Sequence, residues 1–432
     1  MTTGSAASVH GGTKGLGFAE ESVKFEGPRE LKLRVLGAAV SVVLHAGVTP
    51  DLHAELRRAW LRCLDRHRES GQPGELEPRE GTTPVTPAVP LEERPFQATV
   101  SSVVGTALVT GRTFREFASN LTSAVTLAGI TAGRGNLVML HAAALADEKS
   151  GRAVALVGRS GMGKTTATRR LGTGLGYVTD ETVAVDGSGS IVPYAKPLSL
   201  IVDGPEMPKH QIGPDDLGLM VAPPATTLAL IVLLDRKPDA AGPIVTPLPH
   251  AEAIIDLAPH TSSLGELPLP LTRLCGILDA TGGAVRVTYR EAGDLTDVLP
   301  ALLGRPAIPK TWTSVLGEGT RPSEAHQSSD SARSSVLRRA DLLDAVEIPL
   351  PSGQSTELIV MTGQGVVRLT GIGPAIWHAL DTPGDLNTIA HRIAPHIGLP
   401  AGYESLLLSS VDDLKSHGIL LDSSSLEPVN LA

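Results

Sequence analysis

The period of the apolar residues changes repeatedly along this chain, and each change marks an element. Leu31–Val48 carries strand-like alternation, Leu56–Leu64 around Trp60 reads as a helix, and Val100–Leu108 reads as a strand. Thr113–Leu127 spaces Phe114, Phe117, Leu121 and Val125 along one helical face. Leu137–Leu145 and Arg152–Val157 are near-continuous apolar runs, the pattern of strands buried on both faces. A helix is predicted to begin by Thr166 and run to Leu171. Gly176–Asp186 then gives strand, acidic pair, strand, and Ile191–Ile201 follows. Thr227–Leu234 is another buried strand, closing on Asp235, and Ala284–Tyr289 is a further one. Strands alternating with helices imply an α/β core.

Three stretches break the pattern. The first dozen residues are small, polar and Gly-rich and read as a frayed end, and Arg66–Pro95 is dense in Pro, Glu, Gly and Thr and reads as a long exposed loop. Thr311–Arg338 is rich in Ser, Gly, Thr and Glu and reads as a flexible linker. Beyond it, two short strands (Glu357–Met361, Gly365–Leu369) precede helices at Ile372–Leu380, Leu386–Ile393 and Tyr403–His417, the last closed by Gly418 as a C-cap. The expected division is an N-terminal α+β accessory domain (1–135), a central α/β domain (136–305), a linker (306–339) and a small module (340–425).

Composition narrows the classes. A chain of 432 residues is too long for one ordinary core. With 41% hydrophobic residues and only 3% aromatics, its core must rest on Ala, Val, Leu and Ile. The formal net charge of −9 argues against a nucleic-acid or anionic-membrane surface. Cys63 and Cys275 stand alone, without partners at metal-ligand spacing, which excludes a disulfide framework and a structural zinc site. Met1–Gly15 has no apolar segment of the secretory type, and the apolar runs are too short to cross a bilayer. A cytoplasmic protein with neither nucleic-acid nor membrane partner is expected.

The chemistry concentrates at Gly158-Arg159-Ser160-Gly161-Met162-Gly163-Lys164-Thr165-Thr166, which fits the nucleotide-phosphate loop G-x-x-x-x-G-K-[ST]. The apolar run 152–157 supplies the strand entering it, and the segment after it the helix whose N-terminus favours anions. Gly161 and Gly163 allow backbone conformations closed to other residues, so that the loop N–H groups, from Gly158 through Ser160 and Met162 to Thr166, point inward. Lys164 would reach the β- and γ-phosphates, and the Thr165 hydroxyl would ligate Mg²⁺. Two acidic positions are candidates beside them. Asp180-Glu181 ends the strand after the loop helix, and Asp235 closes an apolar run, either as a metal-side acid or as a residue capping the turn before Lys237-Pro238. Adjacent carboxylates such as Asp180-Glu181 are costly unless a cation offsets their repulsion.

His141-Ala142-Ala143, Gly158–Thr166, Gly176–Glu181 and Pro193-Tyr194-Ala195-Lys196-Pro197-Leu198-Ser199-Leu200, in this order and spacing, resemble the catalytic region of HPr kinase/phosphorylase and its relatives over about Leu137–Leu303. The resemblance implies a P-loop kinase domain of the HPr kinase and phosphoenolpyruvate carboxykinase type, using ATP or GTP with Mg²⁺. It further implies that Asp180 accepts the proton of a substrate hydroxyl, that Glu181 joins Thr165 around the metal, and that His141 sits near the transferred phosphate. Lys196 would either counter phosphate charge or lie on the surface. Glu181 stands where the HPr kinases proper have aspartate, and the later signature of bifunctional kinase/phosphorylase action is missing, which points away from HPr as substrate.

Leu369-Thr370-Gly371-Ile372-Gly373-Pro374-Ala375-Ile376-Trp377-His378-Ala379-Leu380, with Val411–Leu420, resembles the core of PqqD-like domains. These winged-helix-like modules bind the leader segment of a precursor peptide, often at a sheet edge. The two resemblances together imply a kinase acting on a Ser/Thr hydroxyl of a precursor peptide, or on a small molecule, in a peptide-modification pathway. The module would capture the leader and, on a flexible tether, raise its effective concentration. A homo-oligomer is also in keeping with the family. A non-catalytic, nucleotide-switched peptide chaperone and a simple NTPase are the alternatives.

Overall fold

Leu36 and Gly37, at φ of 48° and 83°, form the tight turn between strands Glu30–Val35 and Ala38–Leu44. The computed structural model describes residues 29–45, 47–65, 95–204, 206–316, 336–350, 356–399 and 402–423. The expected frayed start, nearly all of the 66–95 loop and much of the linker lie outside them. A second hairpin, Phe96–Ser102 with Gly105–Gly111, replaces the single strand expected at 100–108, because the chain turns at the exposed Val103-Val104. The two hairpins make one antiparallel four-stranded sheet. Helix Phe114–Gly133, capped by the Thr113 hydroxyl, packs Phe117, Leu121 and Val125 onto it.

The central sheet has six strands in the order 244–247, 284–289, 227–236, 152–157, 142–146, 176–179. Strands 284–289, 227–236 and 152–157 run parallel, 244–247 and 142–146 pair antiparallel with them, and 176–179 pairs antiparallel with 142–146. Strand alternation feeds two cores: Ala143, Leu145, Val154 and Leu156 pack under helices Lys164–Leu171 and Leu295–Leu303, while Ala142, Ala144, Ala153 and Ala155 face helices His250–Leu257 and Pro270–Ala280. The fold is thus mixed α/β, with parallel and antiparallel pairs in one sheet.

The apolar run 137–145 is not one strand. Val138–Leu140 belongs to a small sheet with Val183–Val185, Ile191–Val192 and Thr261–Ser262, whereas Ala142–Ala146 belongs to the central sheet. The chain breaks at His141. That small sheet is covered on both faces, by Met139 and Ala184 in the N-terminal core and by Val138, Leu140, Val183 and Val185 in the central one. The N-terminal domain is therefore fused to the α/β domain through a shared core.

The C-terminal module is likewise docked, not merely tethered. Its sheet (313–314, 344–349, 356–362, 365–369) places Val346, Ile348, Ile359 and Met361 in the central core, and Ala345, Leu358, Val360 and Leu369 against its own helices, where Trp377 is buried. Asp344 is buried and accepts from the Thr272 backbone N–H at 2.8 Å. Trp312, inside the expected linker, is buried with its indole N–H on Asp279 at 2.8 Å, and Leu337–Arg339 pairs with Leu420–Asp422. Ordered flanks of 306–316 and 336–339 thus replace part of that linker, because their apolar residues find partners on the two domains. Among the described residues no helix is long and apolar enough to cross a membrane.

Candidate functional site

The glycine loop leaves strand Arg152–Val157 and enters helix Lys164–Leu171 with Gly161 at φ 85° and Gly163 at φ 88°. A side chain at Gly161 would meet nothing within 4 Å, so this side of the loop is open, whereas one at Gly163 would come within 3.2 Å of the Tyr289 hydroxyl. That hydroxyl donates to the Met162 carbonyl at 2.6 Å and pins the loop from strand Ala284–Tyr289, two places away in the sheet. Lys164 folds back so that its ammonium donates to the Gly158 carbonyl. Burial, with Lys209 adding to it, lowers the Lys164 pKa, and Asp180 and Glu181 oppose the shift.

A cleft of about 400 Å³ opens over this loop. Ser160, Gly161, Gly163, Lys164, Thr165 and Thr166 line its floor, and His141, Asp180 and Glu181 line a wall. Gly158 and Met162 shape the loop from beneath through their carbonyls. Sequence pattern did not single out Arg159, Arg169, Lys209 and Arg236 as site residues, yet all four face the cleft. With Lys164 and Lys196 they set six cationic side chains against the carboxylates of Asp180 and Glu181, in a chain whose net charge is −9. Such a concentration of positive charge in a concave surface selects polyanions. The open glycine loop at the foot of a helix adds backbone N–H groups suited to an anion.

His141 reaches the cleft because of the break in the apolar run. Its backbone N–H donates to the His260 carbonyl at 2.6 Å, the next N–H, of Ala142, donates to the Glu181 carbonyl at 3.1 Å, and the His141 side chain is exposed. Partial desolvation of the ring against the cleft wall, then the Lys164 charge, lowers its pKa below the ordinary histidine value.

The acidic pair lies at the bend between strands Gly176–Thr179 and Val183–Val185, held by the Thr179 hydroxyl, which accepts from the Glu181 N–H at 3.3 Å. Asp180 is buried. Its Oδ1 takes the Lys196 ammonium at 2.8 Å and shares the Tyr177 hydroxyl at 3.2 Å. The same ammonium contacts Glu181 Oε2 at 3.0 Å and the Pro197 carbonyl at 3.0 Å. Burial alone would push the Lys196 pKa down, but Asp180 and Glu181 outweigh it and the net shift is upward.

Asp235 lies within strand Thr227–Arg236. Its carboxylate accepts from the Thr288 hydroxyl at 2.9 Å and pairs with Lys237 at 3.2 Å, and it does not line the cleft. The next residue, Arg236, does. Among the described residues no group of three or more His, Cys, Asp or Glu side chains is placed to hold a metal ion. Thr165 and Glu181 both line the cleft, and Glu181 has Oε2 paired with Lys196. In comparisons with known proteins, no family model and no curated protein matches the chain.

Proposed function

We propose that this protein is an ATP- or GTP-dependent phosphotransferase that moves the γ-phosphoryl group to a hydroxyl of a precursor peptide. One observation carries the reading. The glycine cradle with Lys164 and the carboxylate of Asp180 face the same cationic cleft. The triphosphate lies along the loop N–H groups, with Lys164 at its outer phosphates and Arg159, Arg169, Lys209 and Arg236 around it. Thr165 would hold Mg²⁺ on the protein side, and the ion would supply neutralisation of phosphate charge. Asp180 has one carboxylate oxygen engaged by Lys196 and Tyr177, which leaves Oδ2 for the acceptor hydroxyl. That hydroxyl gives its proton to Asp180 as its oxygen bonds to the γ-phosphorus. The bond from that phosphorus to the β-phosphate oxygen breaks, and the nucleoside diphosphate leaves. His141, on the cleft wall, orients the transferred group by hydrogen bonding.

The acceptor is read as a peptide from the C-terminal module. Its sheet ends, among the described residues, at strand Gly365–Leu369, and a groove of about 370 Å³ runs between that strand and helix Tyr403–Ser416. A strand edge beside a helix suits an extended peptide that adds to the sheet through its backbone. Together with the resemblance of the module to leader-binding domains, this favours a precursor peptide over a small-molecule acceptor. The test is transfer of labelled γ-phosphate to candidate peptides by the wild-type chain and by Asp180→Asn. Transfer that the variant loses while nucleotide binding persists supports the reading; nucleotide hydrolysis alone, with no labelled acceptor, favours a simple NTPase.

A further inference from the structure

Two adjacent carboxylates in a phosphate-binding cleft call for a cation, and in this protein the chain supplies it. The Lys196 ammonium has three N–H donors, and three oxygens surround it: Asp180 Oδ1 at 2.8 Å, Glu181 Oε2 at 3.0 Å and the Pro197 carbonyl at 3.0 Å. Its side chain is 1% exposed, against 3% for Asp180 and 34% for Glu181. With every donor committed inside the protein, Lys196 has none left for a phosphate. The same three hard oxygens are the type of donor set that a divalent cation takes. We infer that Lys196 is a positioning residue that occupies the place of a metal ion between Asp180 Oδ1, Glu181 Oε2 and the Pro197 carbonyl, and that it aims the Asp180 carboxylate.

The surroundings explain why the lysine stays there. Tyr177 bridges the pair from behind, donating to Asp180 Oδ1 and to the Lys196 carbonyl at 3.0 Å. Two residues before Lys196, Tyr194 is buried in the N-terminal core, where its hydroxyl meets the Thr126 hydroxyl at 2.7 Å. Cys63 of the N-terminal domain is also close enough to feel the ammonium: burial drives its thiol up to about 12, and Lys196 opposes that shift. The segment that carries Lys196 is thus anchored in the N-terminal core through Tyr194. This gives the accessory domain a part in the site, and it rests on the phosphotransferase reading only for the role of Asp180 as base.

The test uses Mn²⁺ alone, counted by electron paramagnetic resonance on the full chain without nucleotide. Wild type is expected to bind no Mn²⁺ at the acidic pair. Lys196→Ala, which leaves the three oxygens facing a space, is expected to gain one Mn²⁺ per chain, and Lys196→Ala with Glu181→Gln to lose it again. A folded Lys196→Ala protein that gains none overturns the inference. If Lys196→Ala does not fold, Glu181→Gln in the otherwise wild-type chain decides: unchanged Mn²⁺ binding supports the inference, and loss of a bound Mn²⁺ overturns it. Because nucleotide is absent, these outcomes stand apart from success or failure of the phosphotransferase reading, which nucleotide binding and label transfer decide.

Discussion

Adding one methyl group to each loop glycine tests the phosphate cradle, because the two positions differ in a way that can be worked out beforehand. Gly161 and Gly163 both lie at left-handed φ, 85° and 88°. An L-residue there costs roughly 1–2 kcal/mol. The free loop of an alanine variant can relax out of this conformation, and nucleotide binding must restore it, so affinity falls by roughly 5- to 30-fold. Gly161→Ala bears only that cost, since nothing lies within 4 Å of its new Cβ. Gly163→Ala also crowds the Tyr289 hydroxyl, 3.2 Å away, and displaces its 2.6 Å bond to Met162. A hydrogen bond of this kind contributes about 1 kcal/mol, a further factor of about five. Removing the hydroxyl in Tyr289→Phe should abolish the extra factor, so that Gly163→Ala in that background costs only what Gly161→Ala does, and the double-mutant cycle shows a coupling of about 1 kcal/mol. Titration with a fluorescent ATP analogue, with circular dichroism to confirm folding, reads all four variants. Wild-type affinity in both alanine variants would refute the assignment of this loop as the phosphate cradle.

Other expectations follow from the same geometry. The Lys196 pKa is raised in the folded state, so its contribution to stability is fully present below its unfolded value near 10.5 and is lost as pH rises through the higher folded one. Denaturant midpoints of wild type and Lys196→Met should therefore differ by a constant amount from pH 7 to 9 and converge above about pH 10.5; a gap that persists unchanged at higher pH speaks against a charged lysine in the pair. In the module groove, Leu406 is 51% exposed and lines the space beside strand Gly365–Leu369. Leu406→Glu is expected to raise KM for a full-length precursor about tenfold or more while leaving the isolated acceptor segment unaffected, the loss of one apolar anchor being worth about 1.5–3 kcal/mol. Equal KM values for both substrates in that variant remove the leader-capture role.

Where the chemistry is local, it was legible in the sequence. The cradle, Lys164 and Thr165 follow from consecutive residues, and Asp180-Glu181 from a strand end. Even the need for a cation beside that pair was foreseeable from electrostatics. Its source was not, because Lys196 reads as a phosphate counter-charge until the fold brings its three donors onto three oxygens. Arg169, Lys209 and Arg236 were invisible for a similar reason: each comes from a different element, and only the topology unites them. The apolar run 137–145 looked continuous because both of its halves are buried, and hydropathy cannot report that they belong to different sheets. Asp235 had the spacing of a metal-side acid, but its Oδ2 meets Thr288 and Lys237 and the side chain does not line the cleft. The composition of 306–339 hid Trp312, whose single indole is enough to anchor the linker's start on Asp279.

The central claim is that Asp180 takes the acceptor's proton over a nucleotide seated at Lys164. Replacing Asp180 by Asn keeps the size of the side chain and a carbonyl oxygen for Lys196, while removing the base. Measured with γ-labelled ATP and the peptide acceptor, the variant should bind nucleotide within about threefold of wild type and transfer phosphate about 10²- to 10⁴-fold more slowly, the usual contribution of a positioned general base. Transfer at the wild-type rate by a folded, nucleotide-binding Asp180→Asn protein would contradict the account.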